Sequence, residues 1–156
     1  MDLSYEDLEV GKRYDVGTHT FTREEIVKFA EQFDPQPFHL NEEAARSSLF
    51  GTLIASGWHT CCLMMGMLAR NFLRGSTLMG SPGVDEIRWL KPVHVGDTLS
   101  MTNTVMSKRI SSSKPDRGVV ETRWDGINQS GETVVIVRSK AIFGLRHPLL
   151  LHRHND

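Results

Sequence analysis

Asp34 and His39 stand five residues apart in Phe33-Asp34-Pro35-Gln36-Pro37-Phe38-His39, a carboxylate and an imidazole on a stretch that two prolines stiffen. Side chains leaving a rigid turn converge in ways open to neither a helix nor a strand. An Asp/His pair that meets at one point is equipment for moving protons, and a water between them would be both oriented and deprotonated. The bland alternative for the same residues is an Asp that ends a helix beside a solvated His.

The elements on either side have to position this pair. Thr22-x-x-Glu25 matches a capping box, in which a hydroxyl and a carboxylate each satisfy a free backbone N–H. Ile26, Val27, Phe29, Ala30 and Phe33 then share one helical face, and the proline after Asp34 disfavours helical geometry there. The spacing therefore predicts an amphipathic helix that delivers Asp34 at its end. Asn41 caps a further short helix through Ala45. Ser56 is the expected N-cap of a helix that is apolar nearly all the way round, from Trp58 to Leu73 with Gly75 just past it, and such a helix belongs in the middle of something.

Strand patterns precede and follow these helices. They are expected at Arg13–Phe21, Val84–Leu90, Thr98–Lys108, Val119–Asn128 and Glu132–Phe143, the last two joined as a hairpin across Gln129-Ser130-Gly131. Long strands around one buried helix make the fold class α+β, a curved antiparallel sheet covered on one face.

The order Asp34-x-Gln36-Pro37-x-His39, then Asn41-Glu42-Glu43-Ala44-Ala45, then Ser56-Gly57-Trp58 resembles the MaoC-like dehydratases, which include the R-specific enoyl-CoA hydratases. The resemblance covers most of the chain and implies a hot-dog fold, with the sheet wrapped around the central helix. It implies that Asp34 and His39 are the catalytic pair and that the N–H of Gly57, at the positive end of a helix, binds a thioester oxygen. Gly57, lacking a Cβ, is expected to let substrate approach closely. Gln36, Ser56 and Trp58 become the expected substrate contacts.

The implied substrate is an acyl-CoA, handled without a metal or redox cofactor by a homodimer, with Arg88, Lys91, Arg109, Lys114 and Arg117 available for the nucleotide phosphates. Acyl-CoA thioester hydrolysis and simple acyl-CoA binding are the alternative functions. Two departures stand out. Many members have His where this chain has Ser56, and a serine that supports the catalytic histidine in some members is replaced near Met65. His59 is then a candidate supporting base, with a packed histidine as the plainer reading.

At 156 residues the chain is expected to form one domain over 1–146 and a tail over 147–156 whose histidines are solvated. Lys+Arg 18 against Asp+Glu 19 leaves no field favouring nucleic acid or an acidic membrane. The acidic start lacks the features of a secretory signal, and the apolar run from Cys61 to Leu73 is interrupted and too short to span a bilayer, so a cytoplasmic protein is expected. Adjacent Cys61 and Cys62 diverge on a helix, which excludes an ordinary bridge between them, and no Cys/His set has zinc-ligand spacing. Buried free thiols are expected, with a helix-activated catalytic cysteine as the alternative.

Overall fold

The computed structural model describes residues 2–148. A 3-10 turn at Tyr5–Asp7 leads into β1 (Arg13–Thr20), followed by α1 (Arg23–Phe33), α2 (Pro37–Leu40), α3 (Glu42–Arg46) and α4 (Gly57–Asn71). Four strands complete the chain: β2 (Leu78–Trp89), β3 (Thr98–Ile110), β4 (Arg117–Ile127) and β5 (Thr133–Gly144). They form one antiparallel sheet in the order β1-β3-β4-β5-β2. The tail from residue 149 on lies outside the described residues.

The capping box opens α1 as its sequence predicts. Thr22 Oγ1 accepts the Glu25 N–H at 3.2 Å, and Glu25 Oε2 accepts the Thr22 N–H at 3.2 Å. Thr22→Ala deletes one of these bonds, and the chain should lose about 1 kcal/mol of stability, read as a lower urea midpoint at unchanged slope.

Met64, Met67 and Leu68 of α4 pack with Leu99, Met101, Trp124, Val135 and Val137 of the sheet, while Ile26 of α1 closes the core from the side. The expectation that α4 is enclosed on all sides is too strong. Trp58, Cys62 and Met65, spaced as one helical stripe, are exposed.

Two segments differ from the sequence expectation. The Asp34–His39 stretch is not loop throughout, because Pro37, whose missing N–H costs nothing at a helix start, opens the short α2. β2 begins at Leu78 rather than Val84. Gly80, Pro82 and Gly83 read as breakers, yet register shifts absorb them, and Ser81 Oγ ties the stretch to Lys140 O at 2.6 Å.

Candidate active site

Asp34 is the C-cap of α1. Its N–H still reaches Ala30 O at 2.9 Å, but its backbone leaves the helix at φ −151°, as the following proline demands. The Gln36 N–H turns back to Asp34 O at 2.8 Å, and α2 then carries His39 inward until it is 5% exposed. The pair comes together: His39 Nε2 lies 3.4 Å from Asp34 Oδ2.

The histidine has a defined tautomer. Its Nδ1 is 2.8 Å from Ile54 O, and a carbonyl only accepts, so Nδ1 carries the proton. In neutral His39 the Nε2 lone pair therefore faces a carboxylate oxygen across a gap longer than a hydrogen bond. Two acceptors at that separation suit one donor molecule shared between them, such as water or a hydroxyl.

The carboxylate is held from both sides. Ser56 Oγ donates to Oδ2 at 2.6 Å, and Gln36 Nε2 donates to Oδ1 at 2.8 Å. Burial favours the neutral acid, but these two bonds and the nearby His39 outweigh it and draw the Asp34 pKa below the usual carboxylate value. Asp34 is an anchored anion at neutral pH.

Asp34, Gln36, His39, Gly57 and Trp58 border a common cavity of about 440 Å³, with apolar walls from Phe38, Phe50, Val93 and Val135. It lies against the first turn of α4, where the helix presents its positive end. Ser56 is different. It holds the expected N-cap position of α4 but makes no side-chain capping bond there, and it is fully buried behind the carboxylate and outside the cavity lining, which corrects the expected substrate contact. The capping oxygen is committed to Asp34 instead.

The bare Cα of Gly57 is indeed closely approached, but by Trp89. A Cβ built there would fall 2.4 Å from Trp89 Nε1 and 2.5 Å from Cε2. Trp58 meets the same indole edge-on at 5.2 Å, so two half-exposed tryptophans frame the cavity mouth.

His59 is a packed histidine rather than a supporting base. Its ring stacks on Phe29 at 4.8 Å and its Nε2 sits 3.5 Å from Glu25 Oε1, on the α1 side of the helix. Burial pushes its pKa down, with Glu25 opposing.

Of the five basic residues offered for phosphates, Lys91 borders the cavity, where it pairs with Glu132. Arg88 points to Glu86 at 2.6 Å. Arg109 near the end of β3, Lys114 in the β3–β4 turn and Arg117 at the start of β4 lie at one end of the sheet, and Arg117 pairs with Gly144, nine residues of β5 beyond cavity-lining Val135. At about 3.4 Å per residue that places them roughly 30 Å away.

Cys61 is half-buried, with a thiol pushed up to about 11 chiefly by burial. Cys62 is exposed, contrary to the expectation of two buried thiols. Among the described residues no cluster of three or more His, Cys, Asp or Glu side chains has the arrangement of a metal site, and no helix is long and apolar enough to cross a membrane. The Ile54 carbonyl, which sets the tautomer, was missed by sequence reasoning because a backbone acceptor leaves no mark on residue identity.

Known proteins share this arrangement of strands and helix. A crystal structure of a MaoC-like dehydratase from Rhodospirillum rubrum superposes with a TM-score of 0.85 at 44% identity, covering 94% of this chain and 99% of that one. A Mycobacterium tuberculosis protein described as a double hot-dog fold matches at TM-score 0.80 and 18% identity, over 96% of this chain and 46% of its own length, which identifies the fold alone. The 3-hydroxyacyl-thioester dehydratase Z of Mycobacterium tuberculosis is 32% identical over 89 residues, 56% of this chain and 59% of that protein. The fold is thus the hot-dog fold, and the chain's relatives include dehydratases. Residues 7–125 match the model of the MaoC like domain, and the chain belongs to that family.

Proposed function

We propose that the chain is a hydro-lyase that adds water reversibly to a trans-2-enoyl-CoA, giving an (R)-3-hydroxyacyl-CoA. The observation that carries this reading is His39 Nε2 standing 3.4 Å from Asp34 Oδ2, with Nδ1 held by the Ile54 carbonyl, inside an apolar cavity at the start of α4. A water donating one hydrogen to each acceptor has its oxygen free for the β-carbon. His39 takes the water proton as the C–O bond forms, and the resulting imidazolium is stabilised by Asp34 at 3.4 Å. The electron pair of the C=C bond moves into the thioester, and its oxygen charge is met by the Gly57 N–H and the helix end. The imidazolium then protonates the α-carbon. One residue handles both protons, so water adds across a single face.

The acyl-CoA is the substrate, with no resident cofactor, and the working unit is a cytoplasmic homodimer. Support for pairing comes from the exposed stripe of α4 and from edge strand β2, whose Leu78, Met79 and Val84 are also exposed. The test is purified protein mixed with crotonyl-CoA. Loss of the conjugated enoyl absorbance without thiol release supports the reading. Thiol release indicates a thioesterase, and binding without turnover indicates a carrier.

Ser56→Ala probes the anchoring of Asp34. Removing a hydrogen bond to the charged form raises the carboxyl pKa, so the acid limb of the activity profile should move to higher pH. The bond stabilises the fold because the folded pKa lies below the unfolded one. That contribution is present above the unfolded value and fades as pH falls through the folded value. The variant should be about 1–3 kcal/mol less stable at pH 7 and should converge with the wild type in acid, as measured by denaturant titration.

A further inference from the structure

One carboxylate on α1 faces two imidazoles that come from other elements. Glu25 Oε1 lies 2.7 Å from Nε2 of His19 on β1 and 3.5 Å from Nε2 of His59 in the first turn of α4. The other oxygen, Oε2, accepts from the N–H and the hydroxyl of its own helix cap, Thr22. His59 is 8% exposed and sits between two rings, stacked on Phe29 of α1 at 4.8 Å and edge-on to Phe21 at 5.2 Å. The lining of the Asp34/His39 cavity includes none of these residues.

The two nitrogens of His59 differ. Nδ1 is enclosed with no hydrogen-bond partner among the described residues, so a proton there would have no acceptor. Nε2 faces a carboxylate oxygen, which only accepts, so the neutral ring carries its proton on Nε2. A leucine in the same place would pack against Phe21 and Phe29 without enclosing an unpaired nitrogen, which costs stability. What the imidazole adds is one N–H facing α1.

That contact joins the two helices that carry the site. α1 runs on from Glu25 to its C-cap at Asp34. α4 has Ser56 at its N-cap and Gly57 two residues before His59, about 3 Å along the axis, and Ser56 Oγ donates directly to Asp34. We propose that His59 is a positioning residue: through Glu25 it fixes the first turn of α4 against α1, and so holds the Ser56 hydroxyl on Asp34 and the Gly57 N–H in register with the Asp34/His39 pair. It touches no substrate and exchanges no proton. The part played through Gly57 rests on the hydratase reading, and the part played through Ser56 does not.

Two variants separate this role from packing. His59→Leu fills about the same volume and removes both nitrogens, whereas His59→Gln returns an amide N–H near the position of Nε2. With crotonyl-CoA, His59→Leu should lower kcat by about ten- to a hundredfold, the scale of an ångström's misplacement. KM should change less, because the bond to the thioester oxygen tightens in the transition state. In the free protein, the carbon-13 titration of the Asp34 carboxyl should move up by roughly half a pH unit or more as the Ser56 bond lengthens. The urea midpoint of His59→Leu should not fall below that of the wild type, since an unpaired buried nitrogen is removed. His59→Gln should bring kcat and the Asp34 titration most of the way back, and a two-bond proton–nitrogen spectrum of the wild type should show His59 protonated at Nε2. An Asp34 titration unmoved in His59→Leu, a His59→Gln as impaired as His59→Leu, or a His59 proton on Nδ1 would overturn the assignment. If the wild type leaves crotonyl-CoA unchanged, the hydratase reading fails, and the Asp34 titration still decides the positioning role.

Discussion

Asp34→Asn should lower kcat/KM for crotonyl-CoA by roughly a hundred- to ten-thousandfold, the span associated with a lost acid–base group, while leaving the fold nearly intact. The amide keeps the size of the carboxylate, and its oxygen can still accept from Ser56 or from Gln36, though not from both. What disappears is the charge. Without it the water loses one of its two orienting acceptors, and the imidazolium formed as His39 takes a proton has no counter-ion at 3.4 Å. A variant with full activity and an unchanged pH profile would refute the assigned mechanism, whatever reaction the protein proves to catalyse. KM should change less than kcat, because the interaction forms with charge that develops only during the reaction.

The second large effect is expected at His39, where the choice of replacement separates chemistry from structure. His39→Ala removes the proton acceptor and also leaves Ile54 O without its donor in a buried setting. It should therefore cost about 1–3 kcal/mol of stability along with a loss of activity of the same order as Asp34→Asn. His39→Asn offers an amide N–H near the position of Nδ1 and nothing at Nε2. Its stability should recover toward the wild type and its activity should not. Recovery of turnover in His39→Asn would mean that the ring's role is to hold the Ile54 segment, and that the base lies elsewhere. Combining Asp34→Asn with His39→Ala should lower activity little beyond either single change, since the two groups act on one water as a unit. Independent, multiplying losses would count against a shared water.

Local signals in the chain were enough for α1 and its end point. Thr22 and Glu25 close a capping box over three residues, and Pro35 acts on its immediate neighbour, so both effects are complete within one turn of helix. The closeness of Asp34 and His39 was legible for the same reason, because only five residues and two prolines separate them. The α+β class followed from the change of hydrophobic period after α4. The motif of Asp34, His39 and Gly57 pointed to a family that the match over residues 7–125 bears out.

Roles that depend on partners distant in sequence were beyond such signals. Ser56 has the residue type of a helix cap, yet its hydroxyl is donated to a carboxylate twenty-two positions earlier, where a charge-assisted bond outcompetes a neutral backbone N–H. The bare Cα of Gly57 is covered by an indole from the far end of β2, and the tautomer of His39 is set by the carbonyl of Ile54. Arg109, Lys114 and Arg117, around the β3–β4 connection, were separated from the cavity by strand length alone. Residue identity and short spacing dictate interactions within a turn or two of backbone. Which surface a given side chain faces depends on how the sheet and helices close on one another, and that is a property of the packed molecule.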